Sequence, residues 1–221
     1  MSQAIRSYVF DAYGTLFDVH CAVARQAARV GDAAQALSEL WRARQLEYSW
    51  TTSLMGRHQD FWSLTTQALD YAMARLRIAD DALRADLLQA YLELEAFPEV
   101  PRVLRTLKDE GKSVAILSNG TKEMVSSAVR SAGIAELVDH VLSIEAVGIF
   151  KPHPSVYRHA LDTLGLEARA VSFQSSNAWD AAGAAAFGLR VVWVNRGRLP
   201  PEYSFAGAVR EVHSLEALIT K

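Results

Sequence analysis

Tyr8-Val9-Phe10-Asp11-Ala12-Tyr13-Gly14-Thr15-Leu16 reads as a short buried strand that ends on a carboxylate and then breaks at a glycine. The β-favouring residues before Asp11 place it just past the strand's carboxyl end. In an open parallel sheet that edge is where ligands bind. An aspartate after a strand can equally do no more than cap a turn, so its role depends on what else arrives at the same edge.

Beyond Leu16 the pattern turns helical, and no strand is expected before about Ser113. Breakers divide the tract into Ala22 to Val30, Asp32 to about Trp50, His58 to about Leu76 and Asp80 to about Leu94. Asp32 with Gln35 has the capping-box spacing. Asp80 or Asp81 can cap the fourth helix, on which Leu83, Leu87, Leu88 and Tyr91 share a face. From Pro98 onward helix and strand alternate. Helices are expected at Val100 to Glu110, Lys122 to Ala132, Ser155 to Leu164, Trp179 to Phe187 and near Leu215. Strands are expected at Ser113 to Leu117, Val141 to Ser143, Ala170 to Gln174 and Arg190 to Val194. Such alternation implies βαβ units. The expected architecture is α/β, a doubly wound, Rossmann-like parallel-sheet core (residues 1–16 and 98–221) with an inserted α-helical cap (residues 17–97). The prolines of Pro200-Pro201-Glu202-Tyr203-Ser204 mark a loop.

The bulk numbers exclude several partners. Among 221 residues, 23 Lys+Arg balance 25 Asp+Glu, so no global field invites nucleic acid or an anionic membrane. With half the residues apolar and 22% charged, there is ample material for a core. The single cysteine, Cys21, rules out an internal disulfide framework and a cysteine-based zinc site, and reads as a small buried hydrophobe. Met1 to Arg6 carries no apolar signal core and no apolar run is long enough to span a bilayer, which points to the cytoplasm.

Polar residues gather at the ends of the core strands. Asp11 and Thr15 come after the first, Ser118-Asn119-Gly120-Thr121 after the second, Lys151-Pro152 precedes the helix at Ser155, and Ser175-Ser176-Asn177-Ala178-Trp179-Asp180 comes after a later strand. Each cluster is ordinary turn chemistry alone. Together they bring a lysine, carboxylates and hydrogen-bond donors to one edge of one sheet.

This order of motifs, with a helical insert after the first, resembles the haloacid dehalogenase superfamily over essentially the whole chain. Within it, Asp11 to Thr15 and Ser175 to Asp180 are similar to the motifs of the L-2-haloacid dehalogenases. The superfamily's phosphatases carry a second aspartate two residues after the nucleophile, where this chain has Tyr13. That aspartate protonates a leaving alkoxide, and its neighbouring backbone helps to hold Mg²⁺. A halide leaves without a proton, so its loss handicaps ester cleavage and not halide displacement.

The resemblance implies that Asp11 displaces halide from C2 of a small 2-haloacid and forms an ester, with no cofactor and no metal. It implies that Asp180, oriented with Lys151 and Asn177, positions or deprotonates the hydrolytic water, while Thr15, Ser175 and Tyr157 complete the hydrogen-bond shell. Ser118 and the backbone N–H groups of the Ala12-Tyr13 turn would bind the substrate carboxylate. Arg42, Asn119 and Trp179 would cradle the halide, where charge develops. Tyr13, Leu46, Phe61 and Trp179 would wall the pocket. Arg42, Leu46 and Ser49 form a helix stripe beside that of Leu37, Trp41 and Tyr48, so Arg42 can face the core across a cleft. His153 is read as a surface loop residue, and a homodimer is expected. The alternatives are a phosphatase of the same fold and a non-catalytic scaffold.

Overall fold

The computed structural model describes residues 4–205 and 209–220. Residues 1–3, the start of the terminus read as lacking a signal core, lie outside the described residues, as do 206–208 and 221. The strands are β1 (Ser7–Phe10), β2 (Ser113–Ser118), β3 (His140–Ser143), β4 (Val171–Ser175), β5 (Arg190–Val194) and β6 (Val209–Val212). They form one parallel sheet in the order β3-β2-β1-β4-β5-β6. This is the expected doubly wound arrangement. Covered on both faces, the sheet carries in β2 a continuous apolar run, Val114 to Leu117, that is wholly inaccessible, while β4 buries Ser172 and Gln174 among its apolar residues.

The register positions the site. Phe10 pairs with Ile116 on one side and Gln174 on the other, so Asp11 and the ends of β2 and β4 emerge along one edge. The strand order reverses between β1 and β4, which opens a crevice there. Helices α6 (Val100–Asp109), α7 (Lys122–Ser131), α8 (Pro154–Leu164) and α9 (Ala178–Phe187) cross between strands. On α6, Val100, Val103, Leu104 and Leu107 recur at helical spacing and are buried.

Between β1 and α6 stand α1 (Cys21–Ala24), α2 (Ala27–Val30), α3 (Ala34–Leu54), α4 (Phe61–Arg75) and α5 (Asp81–Leu92). The insert leaves and rejoins the sheet at one point: Phe97 N–H donates to Leu16 O at 3.0 Å and Asp18 N–H to Glu95 O at 2.9 Å. Cys21 is free and buried, as expected.

Several local expectations are corrected. The first helix is two short ones, because α1 is buried through Cys21 to Val23 whereas α2 buries nothing that would hold a continuous helix. Asp32 does not cap α3. It lies in a 3₁₀ turn, Gly31–Ala33, whose helical backbone runs straight into α3, and Gln35 bonds Glu39 instead of reaching back. Helix α4 starts at Phe61, not near His58, because Asp60 caps it, accepting from Ser63 N–H at 2.8 Å. Asp80, not Asp81, caps α5 through Leu83 N–H. Leu88 is only half-buried, off the face of Leu83, Leu87 and Tyr91. Near Leu215 there is a 3₁₀ turn, Leu215–Leu218, in place of a helix. Strand β6 has no counterpart among the expected strands, since Val-Arg-Glu-Val is an edge strand with too few apolar residues to show a period.

Candidate active site

Asp11 is nearly inaccessible and both of its oxygens are engaged. Oδ1 faces the Lys151 ammonium at 3.1 Å, while Oδ2 accepts from the Thr15 hydroxyl at 3.0 Å and from Asn177 Nδ2 at 2.8 Å. Thr15 is fixed in turn, because its oxygen accepts from Ser176 N–H at 2.8 Å. Gly14 makes the approach possible with φ of +91°, and a side chain there would press on Ser176 Oγ. The carboxylate is held in one orientation by groups from three separate loops.

Lys151 continues to Asp180 Oδ2 at 2.9 Å, and Tyr157 donates to Asp180 Oδ1 at 2.7 Å. Burial alone would drive the proton off Lys151, but Asp11 and Asp180 outweigh it and hold the ammonium above the ordinary lysine range. Burial pushes the Asp180 carboxyl up, with Lys151 opposing. Burial, reinforced by Asp180, keeps the Tyr157 phenol neutral. The result is a carboxylate poised near a cation, dry enough for both fields to act strongly.

Arg42 reaches this centre from α3. Its guanidinium donates to Gln45 Oε1 at 2.7 Å, to Tyr13 O at 3.3 Å and to Asn177 Oδ1 at 3.4 Å. Asn119 Oδ1 accepts from Lys151 N–H at 2.9 Å, leaving its amide nitrogen without a partner among the described residues. Ser118 Oγ accepts from Gly120 N–H at 3.0 Å and keeps its own proton to donate. The N–H groups of Ala12 and Tyr13 likewise have no partner among the described residues. The Tyr13 ring stacks on Tyr91 with centroids 5.6 Å apart and meets Phe61 at 6.2 Å. Its hydroxyl is buried without a hydrogen-bond partner.

A family model described as haloacid dehalogenase-like hydrolase matches residues 5–188. The chain belongs to this hydrolase family. It is 48% identical over 219 residues to (S)-2-haloacid dehalogenase 4A of Burkholderia cepacia, spanning 99% of this chain and 95% of that one. A solved dehalogenase structure superposes with a TM-score of 0.96 at 47% identity, covering 99% of this chain and 97% of the other. The L-2-haloacid dehalogenase of Xanthobacter autotrophicus, solved with chloropropionic acid covalently bound, superposes with a TM-score of 0.88 at 36% identity, covering 97% and 96%. Within the haloacid dehalogenase-like hydrolases these relatives place the chain in the L-2-haloacid dehalogenase branch.

The remaining expected residues of the hydrolase are distributed unevenly. Ser175 Oγ accepts from Asn177 N–H at 3.2 Å, so it shapes the turn that presents Asn177 and does not bond Asp11. Trp179 packs edge-on against Trp50 with centroids 5.3 Å apart, and lines an open groove of about 880 Å³ that also reaches Lys151. Leu46 sits half-buried one turn beyond Arg42. His153 is exposed and caps α8 by accepting from Ser155 N–H. Three residues escaped the sequence reading: Ser176, through its backbone bond to Thr15, and Gln45 and Tyr91 behind Arg42. A glutamine at helical spacing between Trp41 and Ser49, on a face that is otherwise buried, was the available signal.

Proposed function

We propose that this hydrolase removes halide from short L-2-haloalkanoic acids and gives D-2-hydroxy acids through an ester on Asp11, without a metal ion. The observation that carries this reading is the Asp11 carboxylate, pinned at Oδ2 by Thr15 and Asn177 and facing only the Lys151 ammonium at Oδ1. A divalent cation does not fit that set. Lys151 takes the position between Asp11 and Asp180, Tyr13 offers no second carboxylate, and no three His, Cys, Asp or Glu cluster among the described residues. The Xanthobacter relative, with its covalently bound chloropropionic acid, supports a covalent route.

In this reading Ser118 and the N–H groups of Ala12 and Tyr13 hold the substrate carboxylate. An Asp11 oxygen attacks C2 opposite the carbon–halogen bond, and the bonding pair departs with the halide toward Arg42, Asn119 and Trp179. Asp180 takes a proton from water, whose oxygen adds to the Asp11 carbonyl carbon. Collapse breaks the bond between that carbon and the ester oxygen, releasing the 2-hydroxy acid, whose alkoxide oxygen regains the proton. C2 is inverted once. The helical insert, residues 17–97, acts as a cap that carries Arg42, Leu46 and Phe61 to the core. Exposed Leu54 and Met55 on the insert suit the expected homodimer.

One turnover in ¹⁸O-water tests the route. The label is expected in the Asp11 peptide and absent from the first D-lactate formed from L-2-chloropropionate. Label in the lactate and none in the peptide would refute the ester. Loss of activity on thorough chelation, restored by Mg²⁺, would refute metal independence.

A further inference from the structure

We infer that Gln45 is a positioning residue for the hydrolase reaction, fixing the Arg42 guanidinium through a chain of hydrogen bonds anchored on the buried Thr65 hydroxyl; this rests on Arg42 acting on the departing halide. Gln45 is wholly inaccessible, one turn after Arg42 on α3. Of the bonds Arg42 makes, the one to Gln45 Oε1 is short at 2.7 Å, whereas those to Tyr13 O and Asn177 Oδ1, at 3.3 and 3.4 Å, lie at the weak end of hydrogen bonding. The strongest anchor on the arginine is therefore the glutamine, not the core domain it reaches toward.

The direction of the chain is forced. Phe61 O can only accept, so the Thr65 hydroxyl, 2.7 Å away, must donate to it. Thr65 Oγ1 is then an acceptor for Gln45 Nε2 at 2.6 Å, which turns Oε1 toward Arg42. Tyr91 lies beside both ends of the amide, its hydroxyl 3.0 Å from Gln45 Nε2 and 3.1 Å from Oε1, while its aromatic face stacks on Tyr13; the direction is set by Thr65, which has no proton left to give. Elements α3, α4 and α5 thus fix one amide, and the amide fixes one guanidinium.

Stability alone does not require this arrangement. Replacing all members of a satisfied polar cluster with apolar side chains of the same shape can be nearly neutral for folding. An arginine left to itself, however, spreads over many rotamers, and the entropy of its long side chain favours alternative positions. A clamp on a departing anion works only if its donors are already in place when charge develops.

Turnover of L-2-chloropropionate and L-2-bromopropionate by wild type, Gln45→Leu, Arg42→Ala and the double variant tests this, with folding checked by thermal unfolding. Gln45→Leu is expected to lower kcat about 10- to 100-fold, the scale for a misplaced catalytic contact, with a smaller change in KM. Chloride, the poorer leaving group, should suffer more than bromide. In the double variant Gln45→Leu should add nothing to Arg42→Ala. Additive losses, or wild-type kcat in Gln45→Leu, would overturn the inference while leaving Arg42's role intact. Wild-type turnover in Arg42→Ala would overturn both. Should Gln45→Leu fail to fold, Thr65→Val breaks the same chain one bond further from Arg42, and the same pattern at smaller amplitude is expected, its absence overturning the inference.

Discussion

The Lys151 ammonium stands 3.1 Å from Oδ1 of Asp11, with the lysine side chain fully buried and the aspartate 8% exposed. Asp180 takes its other side at 2.9 Å. The three charges would each be costly alone in this interior, and the lysine makes the two carboxylates tolerable.

Replacing Lys151 with methionine should therefore cost about 3–5 kcal/mol at neutral pH, the scale for removing one partner of a buried ion pair. Asp180 has a raised folded pKa, so it favours folding while protonated and loses that contribution as pH rises through the raised value. The penalty of Lys151→Met should accordingly shrink as the medium is acidified and Asp180 gains its proton. Lys151, also raised, contributes fully below the unfolded lysine value, about pH 10, and only alkali above its folded pKa removes that contribution. Urea unfolding of both proteins at pH 7 and pH 4 checks this; an equal difference at the two values would contradict it.

Catalysis should show the same Asp180 shift. If ionised Asp180 accepts the water's proton, the acid limb of kcat should fall above the range of an ordinary aspartate, because burial raises this carboxyl. Asp180→Asn should allow halide release once per site and then stall at the ester, visible as a stoichiometric halide burst.

Gly183→Ala sets two effects against each other. Alanine in a helix is worth about 1 kcal/mol over glycine. Here the added carbon would overlap Pro152 Cβ and stand 2.7 Å from the Tyr157 hydroxyl, and overpacking costs about 1–3 kcal/mol. Both neighbours lie beside Lys151 and Asp180, so no net gain in stability and a loss of about tenfold or more in kcat are expected. Thermal unfolding and steady-state kinetics on one preparation suffice.

Arg196 ties the insert's attachment point to the core. It donates to Thr15 O at 2.8 Å, pairs with Glu99 at 2.5 Å and lies 3.8 Å over the Phe97 ring. Burial would raise the Glu99 carboxyl, but the bond from Arg196 overrides it and holds the carboxyl below its ordinary value. A depressed acid stabilises the fold above its unfolded pKa, about 4.3, and loses that contribution as pH falls through the folded value. Arg196→Met should cost about 1–3 kcal/mol at pH 7, as for hydrogen bonds to charged groups, and less below pH 4. Denaturant titrations at the two pH values read this difference.

The outline of the fold lies in local pattern. A β-rich run ending at Asp11, alternation of helix and strand after Pro98, and polar turns at Ser118, Lys151 and Ser175 to Asp180 are all visible within short windows, because strand and helix periods and turn chemistry are local properties. Their common edge comes from parallel topology, which alternation itself demands. The edge strand at Val209 to Val212 and the failed cap at Asp32 were not visible, since each depends on the neighbouring backbone.

The sequence by itself thus determined the doubly wound sheet and the set of chemical groups carried to one edge of it. Tertiary structure alone decided how those groups are shared: that Ser175 serves the Asn177 turn and not Asp11, and that Arg42 answers first to Gln45. Gln45 and Tyr91 are 46 residues apart, and Asn177 is 166 residues from Asp11. Helical spacing tells which side chains share a face, but a hydrogen bond is short and directional, so its partner exists only once distant elements have packed.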